Sequence, residues 1–171
     1  MGLKAKYTSG DIDNMMAARL IRINETIVQT LAFVGEKCVN EARDFGSYRD
    51  FTGNLRSSIG YIIVANGRVV KYDFRRSGSG KVSVQYSNMK TRKLRTRSIS
   101  GGGDGVSTGK AYAGKIASTF RSGYALIVVA GMNYAALVEA NGRNVLDSAE
   151  ALAKRQVPLM MAVLMAKSKA A

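Results

Sequence analysis

The sequence predicts an α+β fold: a long N-terminal helix packed on an antiparallel sheet of about four strands, with C-terminal helices and a long basic loop. Three observations predict it. Apolar residues recur every three or four positions from Ile12 to Phe45, two runs rich in strand formers flank Asn66-Gly67, and a wholly apolar run at 124–130 lies between Gly123 and Gly131.

The first pattern places Ile12, Met16, Leu20, Ile23, Ile27, Leu31, Val34, Cys38, Ala42 and Phe45 on one stripe of a helix over 11–45. Ser9 or Asp11 is the expected cap, and at 1.5 Å per residue the helix is about 50 Å long. Charges on its other faces balance, with Arg19, Arg22, Lys37 and Arg43 against Asp13, Glu25, Glu36, Glu41 and Asp44, so it reads as a packing element. Cys38 on the stripe reads as a small buried hydrophobe.

Thr52-Gly53-Asn54 carries turn chemistry, and Ile59 to Val64 is rich in strand formers. Within 55–87, strands are expected at 58–65 and 68–75, joined by a type I′ turn at Asn66-Gly67, where both central positions need a positive φ. A third strand at 81–87 alternates Val82, Val84 and Tyr86 with polar residues. The three form a meander with one wet face, the apolar face lying under the long helix.

The segment 88–110 is basic, then glycine-rich, and is expected to be a long mobile loop. Between positions 68 and 97 ten basic residues stand against the single acid Asp73, and Lys90, Arg92, Lys93, Arg95 and Arg97 are the candidate contacts for a partner or for DNA. Residues 110–121 permit a short helix, although Gly109 and Gly114 argue against a stable one. The apolar run within 123–131 reads as a strand buried on both faces. Asn133 caps a short helical turn that ends at Asn141-Gly142. The C-terminal helices fall within 147–170, where Pro158 begins a new helix or kinks the old one. Met160, Met161 and Met165 are expected to pack against Met15 and Met16 in the core, the alternative being an adaptable contact surface.

At 171 residues the chain fits a single domain over 1–171, and its 46% apolar content favours a folded protein. No run suggests a membrane span, and the first residues lack a signal-peptide core, so a soluble protein kept in a cytoplasm is expected. Gly2 is no myristoylation site, because Lys6 stands where Ser or Thr is required. With no histidine and one cysteine, neither a Ser-His-Asp arrangement nor an internal disulfide is possible within the chain. The run from Gly101 to Lys110 fails as a phosphate loop, since Lys110 is followed by Ala111 and no buried strand precedes it. Asp50, Asp73, Glu139, Asp147 and Glu150 show no metal-ligand spacing. No catalytic residue, metal or cofactor is expected, and the net charge of +14 points to nucleic acid, an acidic protein surface or anionic lipid as partner.

Thr52, Gly53, Leu55, Arg56, Ser58 and Ile59 form a Thr-Gly-x-Leu-Arg-x-Ser-Ile signature that runs into a strand. Tyr134, Ala135, Val138 and Glu139 follow in a Tyr-Ala-x-x-Val-Glu element, and Pro158 opens a Pro-apolar-apolar segment. In this order the motifs resemble the tail-completion, or head-tail joining, family of tailed bacteriophages, the minor tail proteins of the lambda Z type. The stretch from 88 to 109 and the spacing from Gly142 to Pro158 are longer than in that family.

The resemblance implies a structural virion protein of the neck without enzymatic activity. It would form a ring of six or twelve copies between the head connector and the tail, contacting neighbouring connector and tail proteins and DNA in the channel. It would reside at the head-tail junction of the virion, and in the host cytoplasm during assembly, with no membrane partner. With no long heptad seam, the free chain is expected to be monomeric or weakly associated and its ring to form on a partner surface. The alternative is a nucleic-acid-binding protein that grips phosphates with the hairpin and basic loop.

Overall fold

The unbroken apolar run from Ile59 to Val64 leaves no face of its strand suited to water, and the fold is built on that strand. In a computed structural model, residues 7–50, 52–77, 81–87, 94–100 and 103–170 are described. The elements in chain order are α1 (Ser9–Asp44), α2 (Asn54–Ser58), β1 (Ile59–Ala65), β2 (Arg68–Phe74), β3 (Lys81–Ser87), β4 (Leu94–Ser100), α3 (Gly103–Ala117), β5 (Tyr124–Ala130), α4 (Ala135–Ala140) and α5 (Asp147–Ala170). The fold is α+β, as expected.

The first six residues of β1 are buried. It is the central strand of an antiparallel sheet of order β2-β1-β5, with Ile62 opposite Tyr72 on one side and Ile127 on the other. Ile59, Tyr61 and Ile63 face a core shared with Leu31, Val34 and Cys38 of α1. Ile62 and Val64 face the opposite way, against Ala113 and Ala117 of α3. Strand β5 divides its side chains in the same manner, Leu126 and Val128 with the first set and Ile127 and Val129 with the second. The sheet therefore lies between two helical layers, α1 with α5 on one face and α3 on the other.

This corrects three expectations. The strand at 81–87 is not the third strand of a meander: β3 pairs with β4 in a separate two-stranded ribbon, and β5 takes the place beside β1. The sheet has no wet face over β1, because α3 covers it. Residues 88–110 are not one loop, since 94–100 form β4 and α3 begins at Gly103.

The glycines of α3 serve close packing. A Cβ on Gly105 would lie 2.2 Å from the Asn54 carbonyl oxygen, and one on Gly109 would lie 2.5 Å from that of Ser58. Gly105, Gly109, Ala113 and Ala117, four apart, are buried and make a smooth stripe that lets the helix meet α2 and the sheet backbone to backbone. Gly35 does the same within α1, where a Cβ would strike the Tyr61 ring at 2.8 Å.

Local chemistry sets the remaining boundaries. Thr8, rather than Ser9 or Asp11, caps α1: its hydroxyl accepts from the Asp11 amide, while Asp11 Oδ2 accepts from the Thr8 amide at 2.9 Å. Asn66 and Gly67 have φ of 50° and 77°, the left-handed pair that a type I′ turn requires. The turn is tied to the start of β5, since the Asn66 amide donates to the Gly123 carbonyl at 2.8 Å. Helix α5 runs through Pro158 without a break, so the two C-terminal helices expected there are one.

Two measurements test this packing. Gly109→Ala should cost about 1–3 kcal/mol by overpacking, whereas Gly114→Ala, with open space around it, should gain roughly 0.5–1 kcal/mol from helix propensity. Equal effects in urea unfolding would refute the close approach of α3. The buried Tyr61 hydroxyl stands 3.5 Å from Glu36 Oε1, and its pKa is pushed up to about 12, first by burial and then by the Glu36 carboxylate. The unfolded chain therefore ionises first as pH rises. Stability is intact below the ordinary tyrosine value of about 10 and falls between there and about 12. Tyr61→Phe should reduce that fall, measured by unfolding across the same window.

Candidate functional site

Helix α1 is longer than the core beneath it. From Leu31 onward its stripe is buried, with Leu31, Val34, Cys38 and Ala42 at 5% exposure or less. The first 18 residues of the helix, 9–26, are exposed along their whole length, and at 1.5 Å per residue they extend about 27 Å. Ile12, Met16, Leu20 and Ile23 belong to the same stripe, yet no core lies under them, and Leu20 is 58% exposed. Phe45, the last member of the stripe, is exposed as well. The periodicity identified a helix face correctly and its burial only in part.

The second half of α5 runs beside this projecting half. Between them lies an open apolar groove of about 760 Å³ whose walls include Met15, Ile23 and Ile27 of α1 and Met161, Leu164 and Met165 of α5. Met160 and Met161 pack, partly buried, against the main core, whereas Met15 and Met165 are 62% and 66% exposed, so the methionines close into a core only in part. Leu159 and Val163 add to the exposed apolar surface of α5. Large contiguous apolar surface of this kind marks a contact site, and methionine suits it by adapting its shape.

The residues of the Thr-Gly-x-Leu-Arg-x-Ser-Ile signature have architectural roles. Gly53, with a φ of 74°, turns the chain into α2. Leu55 is buried, the Arg56 amide donates to Asp50 Oδ2 at 2.8 Å, and the buried Ser58 hydroxyl donates to the Leu55 carbonyl at 2.7 Å. Ser57, which the motif leaves open, is also buried: its Oγ accepts from the Ser77 amide at 2.8 Å and fixes the end of the hairpin. Ile59 begins β1. In the second element, Tyr134 precedes α4, Ala135 is buried, and Glu139 Oε1 accepts from the amides of Leu146 and Asp147 at 2.7 and 3.0 Å, capping α5. The two elements meet: Thr52 and Leu55 share a cavity with Tyr134 and Val138. Pro158 lies apart from them, inside α5.

Of the five basic candidates, Arg95 and Arg97 lie on β4, opposite Tyr86 and Val84 of β3. Lys90, Arg92 and Lys93 fall outside the described residues. Among the described residues no group of three or more acidic, cysteine or histidine side chains is placed to hold a metal ion, and no helix is long and apolar enough to cross a membrane. No family model, curated protein or solved structure matches this chain.

The division of α1 into core and projection has a direct test. Leu31→Ala should cost about 2–5 kcal/mol, while Leu20→Ala on the same stripe should stay within about 0.5 kcal/mol. Comparable losses in chemical denaturation would mean that the first half of α1 is packed in the free chain.

Proposed function

We propose that this protein is a structural subunit of a tailed-bacteriophage virion, a tail-completion or head-tail joining protein. It forms a ring of six or twelve copies between the head connector and the tail and carries no catalytic site. The observation that carries this reading is the exposed apolar groove along α1 and α5, a surface fitted to an adjoining copy of the same chain. Charge favours that occupant: at +14 overall, like subunits repel, so a contact between copies belongs where charges balance. The projecting half of α1 is close to balance, with Asp11, Asp13 and Glu25 against Arg19 and Arg22, the two arginines lining the groove itself. The resemblance in the Thr52 to Ile59 and Tyr134 to Glu139 motifs supports the same role, as does their convergence on one cavity.

A second reading, a protein whose main task is to grip nucleic acid, is favoured by the β3-β4 ribbon. It is a separate two-stranded element within the basic stretch, and two-stranded ribbons fit the DNA major groove. In the ring, the same ribbon would face DNA in the channel.

Met15→Lys combined with Met165→Lys, both on the walls of the groove, tests the first reading. Both residues are exposed, so the free protein should keep its stability within about 1 kcal/mol for the pair, while incorporation into particles should be lost. Normal particle yield with the double variant would defeat the proposal. Tight, salt-sensitive DNA binding by the isolated protein, with no copurifying virion proteins, would transfer support to the second reading.

A further inference from the structure

The three-stranded sheet ends at β5 in an edge with none of the features that keep strands from pairing. The Gly131 amide donates to the Ser58 carbonyl and the Asn66 amide to the Gly123 carbonyl, one bond at each end of the β1-β5 ladder. By the alternation of an antiparallel ladder, the N–H and C=O groups of Tyr124, Leu126, Val128 and Ala130 then point outward. Among the described residues no backbone partner meets them. The seven residues of β5 pair with β1 without a register shift, and they include neither a charge nor a proline. The opposite edge differs: β2 holds Arg68 and Lys71, and its ladder is broken by a bulge between Ile63 and Val64. Charges and bulges protect an edge, so β5 is the edge suited to take another strand.

An open apolar crevice of about 480 Å³ lies beside this strand. Leu126 and Val128 line it from the sheet, Leu31 from α1, and Ala153 and Val157 from α5. Helix α5 packs closely on α1 but not on β5, which leaves the space between them open. The residues whose backbone groups point outward are therefore the same ones whose side chains border the crevice. Free main-chain partners beside a pocket for alternate side chains form the arrangement by which a sheet accepts an added strand.

A β5 or β2 strand from a second copy would bring its own helical layer to the side of the sheet that α5 already occupies. The β3-β4 ribbon carries no such layer: it forms a separate sheet whose extensive contacts, among the described residues, are between its own two strands. A two-stranded ribbon is marginal in water and is stabilised by a third strand. In β3, Val82, Val84 and Tyr86 stand at alternate positions. Charge agrees with this occupant. Positions 81–87 and 94–100 include Lys81, Arg95 and Arg97 and no acid, while the charged residue lining the crevice is Glu150, close to Asp147 at the acidic start of α5. Glu150 holds Lys154 at 2.6 Å in an exposed pair, which leaves its carboxylate open to a second cation. We propose that β3 of one copy pairs with the open edge of β5 in the next, with Val82, Val84 and Tyr86 received by the crevice. This rests on the reading that copies adjoin in a ring, and gives that ring a head-to-tail contact that repeats around an axis. The other strand of the ribbon, β4, remains open to the channel.

The test is a titration of the intact, isotopically labelled protein with a synthetic peptide of residues 80–101, followed by NMR shifts and amide exchange. Binding should be saturable and should slow exchange at Tyr124, Leu126, Val128 and Ala130, while Ala125, Ile127 and Val129, already turned toward β1, change little. The same peptide carrying Val84→Pro should not bind, because proline is not accommodated within a paired strand. In the protein, Ala153→Leu fills the crevice; it should keep the thermal midpoint at or above that of the parent and weaken binding about tenfold, the equivalent of losing roughly two buried methylenes. Met15→Lys combined with Met165→Lys should bind the peptide as the parent does, since neither residue lines the crevice. The proposal is overturned if the peptide gives no saturable shift, if protection does not follow the alternate pattern, or if Ala153→Leu and the parent bind equally. Normal particle assembly without peptide binding would remove this contact and leave the groove between α1 and α5 standing. Peptide binding together with normal particle yield from the methionine double variant would remove the groove and leave this contact standing.

Discussion

The burial of β1 on both faces is the constraint on which the other elements depend. A strand with Ile59, Tyr61 and Ile63 on one side and Ile62 and Val64 on the other is stable only between two apolar layers. The long helix supplies one layer. The other has to come from elsewhere in the chain, and α3 supplies it with a helix thin enough to lie almost on the backbone. Antiparallel neighbours on both sides complete the hydrogen bonding of β1, and the sheet then has its two edges at β2 and β5. Arg43 locks the arrangement, joining the end of α1 to the first residue of β1 and to the chain just beyond β2.

The readable features were those governed by local chemistry. The Asn66-Gly67 turn, the β1 and β5 runs and the extent of α1 follow from backbone preference and periodicity. Composition misled where it stood in for geometry. The glycines between 101 and 109 resembled a tether because glycine favours flexibility, but at Gly105 and Gly109 the absent side chain makes room for a neighbouring carbonyl. A spacing of four among Gly105, Gly109, Ala113 and Ala117 was the available signal, and it is a helical spacing. The partner of β3 was hidden for a different reason: strand order depends on which edge is nearest after a long excursion, and Lys81 to Ser87 carries no mark of that choice. The candidate site was legible only as a helix face. The exposed groove depended on knowing where the core ends, and the stripe on α1 does not change character at Leu31.

The two ends of the molecule have different physical characters. Around Tyr48 and Leu55, short hydrogen bonds from Ser57, Ser58 and Glu139 fix loops against the sheet. At the other end, two helices carry methionine and leucine into solvent. A rigid frame at one end and an adaptable apolar surface at the other suit a part that is held in register while fitting itself to a neighbour.

Helix α3 carries four glycines in fifteen residues, at 103, 105, 109 and 114. Each disfavours an isolated helix by about 1 kcal/mol relative to alanine, so this segment is a helix by docking and not by its own preference. Its formation therefore belongs after the sheet and α1 have come together, late on the folding route. The same reasoning makes it an early element to detach under mild stress, with its amides exchanging before those of β1. Detachment would uncover Ile62 and Val64 and leave a two-layered intermediate with one apolar sheet face open to other chains, the species from which aggregation would start.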